Sequence, residues 1–345
     1  MAMSSQTTLF PDAVPAEAAT DGAPPEVAAD RPMTDAPEED RARAPRGVSD
    51  VPRVSMGMPV YNGEQYLARA LDSLLAQDFE DFELVISDNG STDGTEAICR
   101  AYAERDSRIS YHRVEENRGA AWNFNRAFEL SRGEYFRWAC HDDMCEPTHL
   151  SRCVEVLDGS PDSVVLVYSR TILMNEEDVP VWTSDENLDT EGQPPHRRLK
   201  TVAERLRYSN VLYGLVRRDV LERTSLIGPY ESSDYVLLVQ LALLGEFVEI
   251  PAYLFRRRIH SGMSRQANKS AEAVAEWFAA SEAHVPKLAQ LRLMREYARA
   301  IANAPMNPVE RARTMFALWY WLRRGARPLA KELLAMVAPG YSAYR

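Results

Sequence analysis

From Val51 onward, short apolar runs alternate with amphipathic stretches, and several of the runs end in a polar cluster. This is the feature that most restricts the fold. Val54 to Val60 (VSMGMPV) is long enough for one buried strand, and Tyr61-Asn62-Gly63 breaks it. Glu64 to Gln77 places Leu67, Ala70, Leu71, Leu74 and Leu75 on one helical face. Phe82 to Ser87 reads as a second strand, Thr95 to Glu104 as a helix and Arg108 to Val114 as a third strand. A helix carrying Trp122, Ala127, Phe128 and Leu130 leads to a fourth strand, Tyr135 to Ala139. A helix through Leu150 to Leu157 and a fifth strand, Ser163 to Tyr168, continue the alternation. Such alternation predicts right-handed crossovers and a mostly parallel sheet flanked by helices.

Ligands of such sheets bind beyond the carboxyl ends of the strands. Three polar clusters fall there: Asn62 after the first strand, Asp88 and Asn89 after the second, Asp142 and Asp143 after the fourth. Each has an ordinary reading as turn or cap chemistry. Their convergence on one rim points to a site. Paired hard oxygen donors suit Mg²⁺ or Mn²⁺ holding a diphosphate. No GxGxxG follows the first strand and no GxxxxGK[ST] occurs, so dinucleotide dehydrogenase and P-loop readings lose their main support. Cys140, Cys145, Cys153, His141 and His149 lack the spacing of a structural zinc site.

Charge divides the chain into three. Residues 1–50 hold 10 acids, 4 bases, seven prolines and eleven alanines with no apolar period, which predicts a disordered acidic tail. The stretch 51–265 is the mixed core, and 266–345 reads as a basic helical extension, with 11 bases against 3 acids from Lys287 on. The formal net charge of −11 argues against a nucleic-acid partner. Four cysteines suggest free thiols in a reducing, cytoplasmic setting. No run of 18 apolar residues is present.

Later in the core, Asp234 precedes an apolar helix with Leu237, Leu238, Leu241 and Leu244 on its buried face. It is read as a helix-terminal charge or as a general base facing the cleft. Phe247 to Phe255 reads as a strand, followed by Arg256-Arg257-Arg258 and His260. Arg257 or Arg258 suits a charge clamp on a diphosphate, or else a solvated basic face, and His260 a metal ligand or phosphate donor. Thr171 to Lys200 is polar and poorly periodic, and reads as an acceptor loop or lid or as a surface insertion. In Arg311 to Arg327, basic residues flank a short apolar centre with Trp319, Tyr320 and Trp321. Met315, Leu318, Trp319 and Leu322 share one helical face there, which either packs on the core or contacts anionic lipid at the inner membrane face.

Taken together, VSMGMPVYNGEQ…VISDNGSTDGT, NRGAAWNFNRAFELSRGEYFRWACHDD, GPYESSDYVLLVQ and FRRRIHSGMS resemble the family 2 inverting glycosyltransferases, over about Arg53 to Ser264. The resemblance implies a GT-A type fold with a Rossmann-like sheet and a helical C-terminal extension. It implies that Pro59, Tyr61 and Glu64 line a nucleobase pocket with Asp88 on the base. Asn117, Arg118, Gly119 and Asn125 match the segment beside the ribose and sugar. Asp142 matches the last acid of the DxD metal motif, with Asp143 beside it, Asp234 the catalytic base and His260 the late histidine near metal and diphosphate. The implied partners are a UDP-, dTDP- or GDP-sugar donor, a divalent metal (Mn or Mg) and a saccharide or lipid-linked acceptor.

Two departures stand out. The first acid of DxD is Cys140, and the usual Glu-Asp before the acceptor helix reads Ser233-Asp234. The cysteine is the sequence support for an alternative, a nucleotide-sugar-binding scaffold with weak or no catalysis. A nucleotidyltransferase would favour a basic Gly-rich loop after the first strand, and PVYNGEQ has none.

Overall fold

The computed structural model describes residues 51–184, 186–263, 268, 270–280 and 289–324. The acidic tail, Trp321's side chain, Ser264 and the domain boundary at 265 lie outside the described residues. The elements are β1 (Val54–Val60), α1 (Leu67–Leu75), β2 (Phe82–Asp88), α2 (Thr95–Arg105), β3 (Ile109–Arg113), α3 (Ala120–Glu129) and β4 (Tyr135–Trp138). Then come β5 (Met144–Cys145), α4 (His149–Gly159), β6 (Val164–Met174), β7 (Pro180–Ser184), α5 (Pro195–Arg205), β8 (Leu215–Arg217), α6 (Arg218–Leu221), α7 (Ser233–Leu244) and β9 (Glu246–Arg258). Three helices close the described chain: α8 (Ala271–Ala279), α9 (Ala289–Asn303) and α10 (Pro308–Arg324).

All strands join one sheet in the order β3-β2-β1-β4-β8-β6-β9-β5, with β7 paired to β6. The first four are parallel, as the strand–helix alternation requires. The second half is mixed: β8 runs antiparallel to both β4 and β6, whereas β6 and β9 are parallel. Two reversals bring β6 and β9 back to the direction of β1. The carboxyl ends of β1, β2, β3, β4 and β9 therefore share one rim, and β8 begins there.

Every residue of β1 is buried. Its apolar side chains join those of α1, β2 and α4 in one core, including Met56, Met58, Leu67, Leu71, Leu84, Ile86 and Leu150. A second core lies around α7, where Tyr235, Val236, Leu237, Leu238, Val239, Leu241, Ala242 and Leu243 are all buried. A helix apolar on every side must be enclosed. Helices α5, α9 and α10 enclose it, and the buried guanidinium of Arg198 donates to the Ala242 and Leu243 carbonyls at its end.

The polar stretch 171–200 is structured rather than an open lid. Thr171–Met174 extend β6, Pro180–Ser184 pair with it as β7, and Pro195 opens α5. In the last helix, Leu318 is 4% exposed and Leu322 packs on the core, but Trp319 is 52% and Phe316 64% exposed. The expected four-residue face is therefore split between core and surface. Among the described residues, no helix is long and apolar enough to cross a membrane.

Candidate active site

The rim is built from loops that hydrogen-bond to one another. Asn62 takes a left-handed backbone, φ 52°, at the turn out of β1. Its N–H donates to Ser91 Oγ at 3.0 Å, and its Oδ1 accepts from Thr92 N–H at 2.8 Å. Gly63 N–H donates to Thr95 Oγ1 at 2.8 Å, and Glu64 Oε2 accepts from Gly94 N–H at 2.6 Å. Glu64 thus caps the start of α2 from another loop. Pro59 is buried in β1, while Tyr61 stands 42% exposed on the rim.

Asp88 does not face the cleft. It is 0% exposed, and its oxygens accept from Ser91 N–H at 2.9 Å and the Tyr111 hydroxyl at 2.6 Å. Within the protein this carboxylate organises the loop beneath the rim. Asn117 Oδ1 accepts from the Asn89 amide and from Gly119 N–H, both at 2.8 Å, so it too shapes its own turn. Gly119 has φ +88°, and a Cβ there would lie 2.4 Å from the Phe278 carbonyl oxygen. Close approach of α8, more than sugar contact, accounts for this glycine. Asn125 clamps one backbone unit, donating to the Ile227 carbonyl at 2.9 Å and accepting its N–H at 3.0 Å. Its amide joins α3 to the loop before α7. Arg118 is exposed, its guanidinium 4.9 Å from the Trp122 ring centroid.

The chemical centre lies past β4. Asp142 faces the cleft with its side chain 19% exposed, whereas Asp143 is 6% exposed. His260 Nε2 lies 3.0 Å from Asp142 Oδ2, so β9 delivers the late histidine to the acid after β4. Arg258 holds both acids from within. Its N–H donates to Asp143 Oδ1 at 2.8 Å and its Nε to the Asp142 carbonyl at 2.9 Å. Its guanidinium, 0% exposed, sits 4.6 Å from the Tyr66 ring centroid. Arg257 Nη1 donates to the Tyr208 carbonyl and Asn210 Oδ1, both at 2.7 Å. Neither arginine forms a solvated basic face, and Arg258 is an internal strut rather than a clamp on a ligand.

Burial pushes the Asp142 carboxyl up, but His141, the His260 bond and Arg257 outweigh it and hold the group below its ordinary range. Burial and then the Asp142 charge raise Asp143. An ionised acid beside a reluctant one is what two crowded carboxyls do without a cation. One ligand atom each from Cys140, Asp142 and Asp143 lies within 4.8 Å of the others. That donor set fits a single divalent ion, whose ligands sit about 2.0–2.6 Å from the metal.

Two neighbours of this centre were not legible in the sequence. Tyr213, two residues before β8, hydrogen-bonds to Cys140, and buried Glu186 accepts from Tyr208 N–H at 2.7 Å and Val211 N–H at 3.3 Å. Both act through the 208–213 turn, which carries no period. Among the described residues, Cys145, Cys153 and His149 form no metal-ligating group. The Arg137 guanidinium donates to Cys145 Sγ at 3.3 Å and its charge also bears on His149 and Cys153, an arrangement that repels a cation.

Asp234 lies in the first turn of α7. One residue separates α7 from β9, so the helix returns antiparallel to that strand, and its N-terminus faces the rim side. Asp234 also bears on the buried Tyr297 of α9.

Residues 55–223 match the family model described as Glycosyl transferase family 2. The match spans 169 of the 345 residues, just under half of the chain. The matched segment holds the rim loops and the Cys140–Asp143 cluster, whereas Asp234 and His260 fall beyond it. The chain is 34% identical over 126 residues to an uncharacterized glycosyltransferase of Rickettsia typhi, covering 36% of this chain and 38% of that one. It is 29% identical over 242 residues to an uncharacterized glycosyltransferase of Nostoc sp., covering 68% and 72%. The chain thus spans well under half the length of the first of these relatives. Its fold is that of the GT-A glycosyltransferases, similar to S. aureus TarS 1-349 in complex with UDP-GlcNAc: TM-score 0.57, 19% identity, 79% of this chain and 72% of that one.

Proposed function

We propose that this protein transfers a sugar from a nucleoside-diphosphate donor to an acceptor hydroxyl with inversion, in the making of a surface polysaccharide or glycolipid. The single observation that carries the reading is the Cys140–Asp142–Asp143 cluster, with His260 on Asp142, at the carboxyl rim of the segment that matches family 2. Tyr61, exposed beside the β1 and β2 loops, supplies a face for the nucleobase. Asp142 and His260 line the diphosphate end. A divalent ion, Mn²⁺ or Mg²⁺, supplies neutralisation of the leaving diphosphate when bound. Asp142 and Asp143 would hold it. Asp234, on the rim side of α7, takes the proton from the acceptor oxygen as that oxygen attacks the anomeric carbon. One in-line displacement inverts that carbon.

Incubation with UDP-, dTDP- and GDP-sugars and Mn²⁺ tests the reading. Slow release of nucleoside diphosphate from one donor, abolished by Asp142→Ala, supports it. Tight binding of a donor with no turnover under any acceptor supports the scaffold reading instead, which the cysteine in the motif favours.

The surface of α10 supports contact with a membrane. Phe316, Trp319, Tyr320 and Met315 are all exposed on it, in a region where bases outnumber acids 11 to 3. Anionic liposomes should retain the protein at low salt and release it at high salt. Equal recovery in the supernatant with and without vesicles sinks the membrane contact and leaves the transferase reading intact.

A further inference from the structure

The donor set after β4 mixes sulfur with oxygen. Cys140 stands where the resemblance expects the first acid of the motif, and its Sγ belongs to the group of ligand atoms within 4.8 Å of one another. Cys140 is half-buried, whereas Cys99, Cys145 and Cys153 are buried. Burial and the Asp143 and Asp142 charges hold its thiol well above the ordinary range, and the Tyr213 hydroxyl hydrogen-bonds to it, so the sulfur becomes a ligand only as a cation displaces the thiol proton. His260 adds an imidazole nitrogen 3.0 Å from Asp142 Oδ2. Carboxylate and water alone suit Mg²⁺ and Mn²⁺, while thiolate and imidazole select softer ions.

We infer that Cys140 gives a sulfur ligand to the cation of this site, which makes the centre take thiophilic divalent ions such as Zn²⁺ or Cd²⁺ in preference to Mg²⁺. The inference rests on the proposed function, which puts a cation at Asp142. As the sulfur–metal bond forms, the thiol proton leaves to solvent. The thiolate then offsets part of the ion's charge, and less of it remains for a diphosphate. The cysteine thus changes which ion the site prefers and does not abolish the site.

Cadmium alone is the probe. Titrated into the full chain it should raise a thiolate-to-metal charge-transfer band in the near ultraviolet. Cys140→Ser should lose the band and bind Cd²⁺ at least about tenfold more weakly, with Mg²⁺ affinity changed by less than about twofold. Cys140→Asp should reverse the preference toward Mg²⁺. Absence of the band in a folded chain, or a band that Cys140→Ser retains, overturns the inference. Donor turnover with Mn²⁺ is measured beside it. Turnover without the band removes only the sulfur ligand, and the band without turnover removes only the transferase reading.

Discussion

The two halves of the sheet hold together by different means. From β1 to β4 the strands are parallel and the rim loops are cross-linked by polar side chains: Asn62 to Thr92, Glu64 to Gly94, Asp88 to Tyr111, Asn117 to Gly119. From β8 to β9 the pairing is mixed, and stability comes from α7, an apolar helix enclosed by α5, α9 and α10. Directional bonds fix the rim loops of the parallel half, which also shares an apolar core with β6, β8 and β9. The apolar half supplies bulk burial with fewer directional constraints. The chemical centre sits where the two meet, with Asp142 from one and His260 from the other. If this division holds, substitutions in the centre should cost rate, and those in the frame should cost stability.

The largest effect belongs to Asp142→Ala. Turnover should fall by roughly a thousandfold or more, the loss expected when several kcal/mol of leaving-group stabilisation goes. The melting temperature should change little or rise, because one of two crowded acids is gone. Near-wild-type turnover, measured by diphosphate release, would break the assignment. Asp234→Asn comes next: donor affinity unchanged in calorimetry and rate down about 10²–10⁴-fold, the usual worth of a positioned base. Loss of folding in that variant would make Asp234 a helix cap and move it to the frame.

Asn125→Leu probes the seam between the halves. It removes both bonds to the Ile227 backbone and should cost about 2–3 kcal/mol of stability, read as a lower denaturant midpoint. Donor KM should stay within about twofold if the residue only clamps the frame. A large rise in KM at unchanged stability would return Asn125 to the sugar site.

The smallest effect lies at the start of α4, which packs against β6 and β9. Burial, reinforced by the Arg137 charge, holds the His149 imidazole well below its ordinary value. The unfolded chain therefore binds the proton more readily. Stability is complete above about pH 6.5 and declines as pH falls, by up to about 1.4 kcal/mol per unit for one group. Melting temperatures at pH 7.5 and 5.5 should separate more in the wild type than in His149→Gln. Equal separation would show that His149 charges freely in the folded state.

The same contrast decides what was legible in the sequence. The parallel half was, because local signals govern it: each apolar run is a strand, each polar cluster its exit, and strand and helix limits fall within a few residues of the periodic pattern. The mixed half was less so. In 171–200, β7 owes its place to pairing with β6 and α5 to its packing on α7 and α10, neither of which leaves a strong local period. Site residues divided along another line. Asp142 and His260, 118 residues apart, stand 3.0 Å from each other, a proximity that the sheet sets and no local period encodes. Asp88, Asn117 and Asn125 bond to nearby backbone, and composition does not show which way a short polar side chain turns. Asp, Asn and Gly serve their own backbone as readily as a ligand.

The strut formed by Arg258 bears on the order in which the protein is made. Its two bonds to the acid segment span 115 and 116 residues. On the ribosome, β1 to β4 and their loops emerge well before that arginine does, and domains tend to fold as their own residues become available. A nascent chain can therefore possess every rim loop of the parallel half while its two acids still lack the internal support that sets their positions. Competence arrives with the closing strand. A chain released early, or cleaved before β9, would carry the whole of residues 55–223 and yet hold Asp142 without either His260 or Arg258.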